Sequence, residues 1–154
     1  MSRFGLVAMG GTFDVIHRGH VALLEMAFSV SQKVIIGLTS DELVQRKGKR
    51  ILHTYEQRLE SLKKTVDAMF PGRQYVISRL DNDFGPAVVE GKVEALVVSE
   101  ETAHQGQALN KLREDRNLGP VDVVVVPMVL AKDGKRISST RIRNEEMDRD
   151  GNLI

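Results

Sequence analysis

The chain has 154 residues, 42% of them hydrophobic and 28% charged, which is the balance of a soluble globular protein and not of a disordered one. Lysine and arginine number 22 against 21 aspartates and glutamates, so the net charge of +1 gives no basis for bulk nucleic-acid binding. Because cysteine is absent, disulfide bonds, thiolate metal sites and a thiol nucleophile are also excluded.

The chain shows no signal for a membrane or for export. No apolar stretch approaches the roughly 20 residues that span a bilayer. The first apolar run is short and ends in Gly-Gly-Thr, which is not the pattern of a secretion signal. The sequence also contains no evident internal repeat, low-complexity segment or linker. We therefore expect one domain over residues 1–154, located in the cytoplasm, with neither a membrane nor a nucleic acid as partner.

Five apolar runs rich in valine and isoleucine are predicted to form strands, and helical patterns lie between them. Nearly uninterrupted runs of this kind are typical of strands buried on both faces of a sheet. The alternation predicts an α/β fold, a single Rossmann-like domain with a five-stranded parallel, doubly wound sheet and helices on both faces. The predicted strands are residues 4–9, 33–38, 74–80, 94–99 and 121–129.

Two helices are predicted between the later strands. Residues 55–70 follow Thr54 as N-cap, with Gln57 completing a capping box, and residues 108–118 end before Gly-Pro. The first of these helices repeats apolar residues at helical spacing, which predicts one buried stripe. The stripe consists of Leu59, Leu62, Val66 and Met69.

The most informative segment is residues 10–20, which read GGTFDVIHRGH between two apolar runs. This order indicates a buried strand, a glycine-rich turn and a helix with histidines at its start. Free N–H groups at a helix N-terminus, next to glycines that permit close approach, form an anion site. Thr12 and the glycine backbone would contact an α-phosphate, while His17 and His20 would donate to phosphate oxygens. The alternatives are a glycine turn with two surface histidines and a zinc site, for which no third ligand is evident from the spacing.

A second segment, residues 137–143, reads ISSTRIR. Small hydroxyl residues at the start of a helix cap it and leave N–H groups facing a ligand. Arg141 and Arg143 would add bidentate donors for phosphate, unless they are simply solvated. A basic run, RKGKR at residues 46–50, follows the second predicted strand. Such runs are commonly solvated, but a position beyond the carboxyl end of a strand favours ligand binding.

The first segment resembles the Gly-Thr-Phe-Asp-x-x-His-x-Gly-His signature of the HIGH-motif nucleotidyltransferase superfamily. The second resembles that superfamily's Ile-Ser-Ser-Thr-x-Ile-Arg element, which holds the β- and γ-phosphates of ATP. The resemblance implies that His20 stabilises the transition state at the α-phosphate. It also implies that Thr12 contacts the phosphates of both substrates and that His17 contacts the triphosphate.

Two middle segments resemble archaeal phosphopantetheine adenylyltransferases: residues 98–106, VSEETAHQG, and residues 83–87, DFGPA. Each alone is also compatible with a turn or loop that opens a helix. The resemblance extends from about residue 6 to residue 151. It implies direct in-line transfer of an adenylyl group from ATP, with Mg²⁺, to 4'-phosphopantetheine, giving dephospho-CoA and pyrophosphate. The implied reaction proceeds without a covalent intermediate on the protein.

The same resemblance implies a set of site residues. A lysine of the basic run would contact the acceptor phosphate and the transferred phosphoryl group, and the choice between Lys47 and Lys49 stays open. The implied catalytic residues are His20, Lys47, Lys49 and Arg143. The implied substrate residues are Thr12, Lys47, Lys49, Asp83 and Ser99. The implied ATP-binding residues are Gly11, Thr12, Phe13, His17, His20, Glu101, Asn110, Ile137, Ser138, Ser139, Thr140 and Arg143.

Two other functions stay open from the sequence. One is a different enzyme of the superfamily, an FMN adenylyltransferase or a glycerol-3-phosphate cytidylyltransferase. The other is a non-catalytic nucleotide-binding module, since fold alone does not exclude it. Assembly into a homo-oligomer is left open as well.

Overall fold

A computed structural model describes residues 3–85 and 91–127 of the chain. The elements alternate between strand and helix, as the apolar runs predict. No helix among these residues combines the length and the apolar character needed to cross a membrane. The strands are β1 (Phe4–Gly11), β2 (Ser31–Thr39), β3 (Gln74–Leu80), β4 (Ala95–Ser99) and β5 (Asp122–Val126). The helices are α1 (Arg18–Val30), α2 (Asp41–Arg46), α3 (Tyr55–Met69) and α4 (His104–Asp115).

The five strands form one parallel sheet in the order β3-β2-β1-β4-β5. The chain runs outward from β1 through β2 to β3 and then returns to the other side of β1. Strand order therefore reverses between β1 and β4. Ligands of such sheets bind beyond the carboxyl ends of the strands at this reversal. The predicted fold class is confirmed, and the first motif follows β1 at the reversal.

Hydrophobic clusters cover both faces of the sheet. Phe28 of α1 and Leu62 of α3 are buried against Val34 on one face. Leu109 of α4 is buried against Ile35 on the other face. The adjacent residues of β2 point to opposite faces because side chains alternate along a strand. Helices thus lie on both faces, as predicted.

The start of α3 is confirmed as predicted. Thr54 Oγ1 accepts the N–H of Gln57 at 3.3 Å, and Gln57 Oε1 accepts the N–H of Thr54 at 2.9 Å. The predicted stripe is wrong at its end, because Met69 is 51% exposed. Met69 is the last residue of the helix, and Phe70, with φ −130° and ψ 59°, leaves the helical path. The ring of Phe70 packs on the cluster instead of the Met69 side chain.

Helix α4 begins four residues earlier than the predicted range of 108–118. Gly106 lies inside the helix and is buried. A Cβ at this position would lie 2.4 Å from a methyl group of Val123. The glycine therefore serves the close packing of α4 on β5 and does not interrupt the helix.

Candidate functional site

A cavity opens at the carboxyl ends of β1, β2 and β4. Its walls come from the turn after β1, the segment after α2, the segment after β3 and the start of the turn after β4. These segments are far apart in the chain, and parallel pairing brings their ends to one edge. The cavity brings together six of the predicted site residues: Gly11, Thr12, Lys47, Lys49, Asp83 and Ser99.

The turn after β1 depends on an unusual backbone conformation at Phe13. Its φ is +51°, in the left-handed region, although its side chain is large and only 1% exposed. A non-glycine residue there costs free energy and persists only where its surroundings impose it. The ring lies in the hydrophobic core, with its centroid 4.8 Å from that of His20. A contribution of Phe13 to ATP binding would therefore come from its backbone.

Asp14, the next residue, was not singled out from the sequence. Its buried carboxylate accepts the N–H of Leu52 at 3.1 Å and the N–H of His53 at 3.0 Å. The same carboxylate lies 3.0 Å from Nδ1 of His53. Asp14 thus ties the turn after β1 to the segment that leads into α3.

His17 and His20 form a reciprocal cap at the start of α1. His17 Nδ1 accepts the N–H of Gly19 at 3.0 Å, and His20 Nδ1 accepts the N–H of His17 at 3.3 Å. The two rings stack with their centroids 4.0 Å apart. A Cβ at position 19 would lie 2.8 Å from His17 Cε1, so glycine makes room for this cap. The Nδ1 atoms of both rings are thus engaged with the backbone of the same helical turn.

The environment keeps His20 uncharged. Burial, and to a smaller extent the neighbouring His17, lower the pKa of His20 to about 3, although a hydrogen bond with the Val15 backbone acts to raise it. The alternative of two surface histidines is wrong, since His17 is buried and His20 is partly buried. His20 is therefore a neutral hydrogen-bond donor at neutral pH.

We expect His20 in the folded chain to stay neutral down to about pH 4. The unfolded chain binds a proton at this histidine near its ordinary pKa of 6.5 and the folded chain does not. The free energy of unfolding should therefore decrease as the pH falls from about 6.5 towards about 3. NMR of the imidazole nitrogens across this range measures the titration directly. A His20 signal that titrates near pH 6.5 would contradict the assignment.

Arg58 of α3 connects the segments around the cavity, although its side chain is only 1% exposed. Nη1 donates to the backbone oxygens of Thr12 at 2.9 Å and Thr39 at 2.8 Å. Nη2 donates to Asp41 Oδ1 at 2.8 Å, and Nε donates to the backbone oxygen of His53 at 3.2 Å. Burial acts to raise the pKa of Asp41, but the hydrogen bond from Arg58 and its charge leave that pKa below the ordinary value.

Arg58 was not predicted from the sequence, because an arginine in a helix usually faces solvent. A signal was nevertheless present. Arg58 lies four residues before Leu62, which lies four residues before Val66, and both of these are buried. Residues at this spacing share one helix face. A charged residue on a buried stripe needs partners, and here they are the carboxyl ends of β1 and β2.

The basic segment after α2 contributes two lysines to the cavity. Lys47 is the C-cap of α2, and its Nζ lies 2.5 Å from Asp83 Oδ1 in the segment after β3. Gly48, with φ +69°, turns the chain before Lys49. Asp83, predicted as a substrate residue, thus lines the cavity as the ion-pair partner of Lys47.

The turn after β4 is held by its own hydroxyl groups. Ser99 Oγ lies 3.1 Å from Thr102 Oγ1, and each oxygen also accepts the backbone N–H of the other residue. Both residues line the cavity, and Glu101 is exposed in the same turn. Helix α4 follows, and its N-cap, Ala103, makes no side-chain capping bond. The hydroxyl pair therefore shapes the cavity wall and does not cap the helix.

Asn110 lies away from this group. Its side-chain amide donates to the backbone oxygen of Val121 at 3.1 Å, and its Oδ1 accepts the N–H of Val121 at 2.7 Å. Val121 precedes β5 at the amino edge of the sheet, about 16 Å along the strands from the carboxyl edge. The described structure thus gives Asn110 a structural role, and its contact with ATP stays a prediction.

The remaining predicted residues lie outside the described part of the chain. They are Ile137, Ser138, Ser139, Thr140, Arg141 and Arg143. The described part combines a helix N-terminus, two imidazole donors, a threonine hydroxyl and two lysines around one edge of the sheet. These groups donate hydrogen bonds or carry positive charge, which suits phosphate oxygens. In residues 3–85 and 91–127, no three histidine or acidic side chains converge as metal ligands.

Comparison with known proteins is consistent with this chemistry. Residues 8–145 match the model of the cytidylyltransferase-like family. A phosphopantetheine adenylyltransferase from Pyrococcus furiosus is 43% identical over 154 residues, covering 99% of this chain and 95% of the relative. One from Methanopyrus kandleri is 36% identical over 145 residues, covering 94% and 92%. A crystal structure from Archaeoglobus fulgidus, described as a protein with unknown function, matches with a TM-score of 0.71 at 29% identity, covering 80% of this chain and 89% of that one.

Proposed function

Because the chain belongs to the phosphopantetheine adenylyltransferase family, within the cytidylyltransferase-like proteins, we propose that it transfers the adenylyl group of ATP to 4'-phosphopantetheine. The products are dephospho-CoA and pyrophosphate. The observation that carries this function is the pair of stacked imidazoles that caps α1, directly after the glycine turn of β1 and at the strand-order reversal. Donors fixed in this way suit a phosphoryl group that gains charge during reaction.

The reaction needs no general base from the protein. The terminal phosphate of the acceptor has a second pKa of about 6, so most of it is a dianion at neutral pH. One of its oxygens forms a bond to the α-phosphorus of ATP as the bond from that phosphorus to the bridging oxygen breaks. The bridging oxygen leaves with pyrophosphate and keeps the electron pair. The chain must therefore align the two substrates and stabilise the charge of the transition state.

The proposed roles follow from this requirement. His20 Nε2 donates to the α-phosphate, and His17 Nε2 donates to the triphosphate. The Thr12 hydroxyl donates to phosphate oxygens at the edge of β1, where the backbone of Gly11 and Phe13 gives close access. In the turn after β4, Glu101 would contact ATP and Ser99 would contact the acceptor. Residues 137–140 and Arg143 would hold the β- and γ-phosphates, a role that rests on the sequence alone.

Mg²⁺ is proposed as the companion of ATP. The described cavity offers N–H, hydroxyl and ammonium groups that fit the phosphate oxygens of a magnesium nucleotide, and the carboxylate of Asp83 in its wall is paired with Lys47. Mg²⁺ keeps several waters and commonly binds proteins through substrate phosphates and few carboxylates. When bound, it would reduce the charge on the triphosphate.

The acceptor phosphate is placed by Lys47 or Lys49. Lys47 is already paired with Asp83 before any substrate binds, so a dianionic phosphate must compete with that carboxylate. Alanine at each lysine in turn decides between them, since the residue that holds the acceptor raises KM for phosphopantetheine more than KM for ATP. Both lysines stay proposed site residues until that comparison is made.

Asp83→Asn is expected to lower KM for phosphopantetheine by about twofold to fivefold, because an exposed ion pair is worth about 0.2–1 kcal/mol. The substitution removes a negative charge next to the acceptor phosphate and releases Lys47 to contact it. Initial rates at saturating ATP measure this KM. Asp81→Asn is a matched control, since Asp81 is an exposed carboxylate in the same segment that pairs with Arg79. An increase in KM would instead show that Asp83 binds the acceptor directly.

Pyrophosphate release by the purified chain tests the function. ATP and CTP are each supplied with phosphopantetheine, FMN or glycerol 3-phosphate, and product masses are recorded. Turnover with ATP and phosphopantetheine alone supports the proposal. Turnover with FMN, or with CTP and glycerol 3-phosphate, would favour the other superfamily enzymes. Tight ATP binding without turnover for any acceptor would favour a nucleotide-binding module.

A further inference from the structure

Thr39, the last residue of β2, lies between Arg58 and Thr12, and none of the sequence motifs includes it. Its side chain is buried at 8% exposure and lines the cavity wall. Its Oγ1 lies 3.2 Å from Oγ1 of Thr12 and 3.4 Å from Nη1 of Arg58. The three side chains thus form a hydrogen-bonded row that ends at a proposed phosphate contact.

The chemistry of the three groups gives this row a direction. A guanidinium group only donates, whereas a hydroxyl has one proton and two acceptor lone pairs. Thr39 Oγ1 accepts from Arg58 Nη1, and the geometry of its contact with Thr12 makes Thr39 the donor to Thr12 Oγ1. Thr12 Oγ1 accepts the Thr39 proton, so its own proton points away from Thr39. The direction runs from the positive charge towards the cavity.

The row is fixed before a substrate arrives. Arg58 also donates to the backbone oxygens of both threonines, at 2.9 Å for Thr12 and 2.8 Å for Thr39. Asp41 holds the other guanidinium nitrogen at 2.8 Å. Full burial of Arg58 leaves it no water with which to exchange these contacts. The row is therefore preorganised, which is what makes a donor effective in a transition state.

We propose that Thr39 is a positioning residue, which together with Arg58 fixes the hydroxyl proton of Thr12 as a donor to substrate phosphate. This inference rests on the proposed function, since that function supplies the phosphate that Thr12 contacts. Thr39 acts through Thr12 and does not touch the reacting atoms. The pairing of a threonine at the end of β2 with one just beyond β1 is what orients the donor.

Thr39→Val tests the role, because valine keeps the shape and removes the hydroxyl. We expect kcat to fall by about fivefold to tenfold, the range of one hydrogen bond, while both KM values change by less than about twofold. Thr39→Ser keeps the hydroxyl and should keep kcat within about twofold of the unmodified chain. Equal losses in both variants would overturn the proposal, because they would show a packing role.

A double-mutant cycle with Thr12→Val separates action through Thr12 from direct contact. If Thr39 acts through Thr12, adding Thr39→Val to Thr12→Val should change kcat by less than about twofold. The same loss in both backgrounds would overturn the proposal. If Thr39→Val does not fold, which thermal unfolding reports, Thr39→Ala takes its place in the cycle. Absence of adenylyl transfer in the unmodified chain would overturn the proposed function, and with it the role of Thr39 in that reaction. An unchanged kcat in Thr39→Val would overturn the role of Thr39 alone.

Discussion

Replacing His20 with alanine is expected to lower kcat by about 100- to 1000-fold, the usual cost of removing one preorganised donor from a transition state. Burial, and to a smaller extent the neighbouring His17, hold the ring neutral, and in the proposed role it donates to the α-phosphate. Alanine removes this donor, and water cannot replace it with the same fixed direction. Steady-state rates of pyrophosphate release measure the effect.

Folding must be checked in the same variant, because His20 also caps the N–H of His17. Loss of one capping bond costs about 1 kcal/mol, so urea unfolding should show a largely stable His20→Ala protein. Glu25→Ala, an exposed change on the same helix, is the control and should keep full activity. Turnover of His20→Ala close to that of the control would remove His20 from the catalytic residues.

Arg58→Met is expected to lower the free energy of unfolding by about 3 kcal/mol or more. The change keeps much of the side-chain length but removes every donor of the guanidinium group. The backbone oxygens of Thr12, Thr39 and His53 lose their bonds to it. Buried acceptors left without partners carry the full cost of their desolvation. Denaturant unfolding measures the loss.

Arg79→Met is the matched control for this prediction. Arg79 also pairs with carboxylates, those of Glu42 and Asp81, but its side chain is 54% exposed. Exposed ion pairs contribute at most about 1 kcal/mol, so this variant should be nearly as stable as the unmodified chain. Equal losses in the two variants would mean that the partners of Arg58 do not depend on it as described.

The elements that were predicted well are those specified by local patterns. The capping box of Thr54 and Gln57 lies within one turn of helix, so four residues of sequence contain all its atoms. The parallel sheet follows from five strong apolar runs separated by long connections. The packing role of Gly106 was not predicted, because it depends on contact between α4 and Val123 of β5. The extent of one domain over residues 1–154 stays a prediction.

The residues of the site also divide into those held by local contacts, which the sequence predicted, and those held by distant contacts, which it did not. His17 and His20 bond within one helical turn, and a motif contains both. Arg58 binds Thr12 across 46 residues of sequence, a distance at which no motif connects them. Asn110 follows a cavity turn closely in sequence, but it lies on a helix that runs back from the carboxyl edge. Nearness along the chain therefore predicts caps and turns, and the tertiary fold decides which distant side chains join them.

The position of β1 at the centre of the sheet has a consequence for synthesis on the ribosome. β1 emerges before the other four strands of the sheet, and it pairs with β2 within a few tens of residues. The other edge of β1 pairs with β4, and Val7 lies opposite Ala95 in that pairing. Contacts so distant in sequence form late and slowly. A nascent chain that ends after β3 has an open edge on its central strand, so the cavity can close only when the second half has been made.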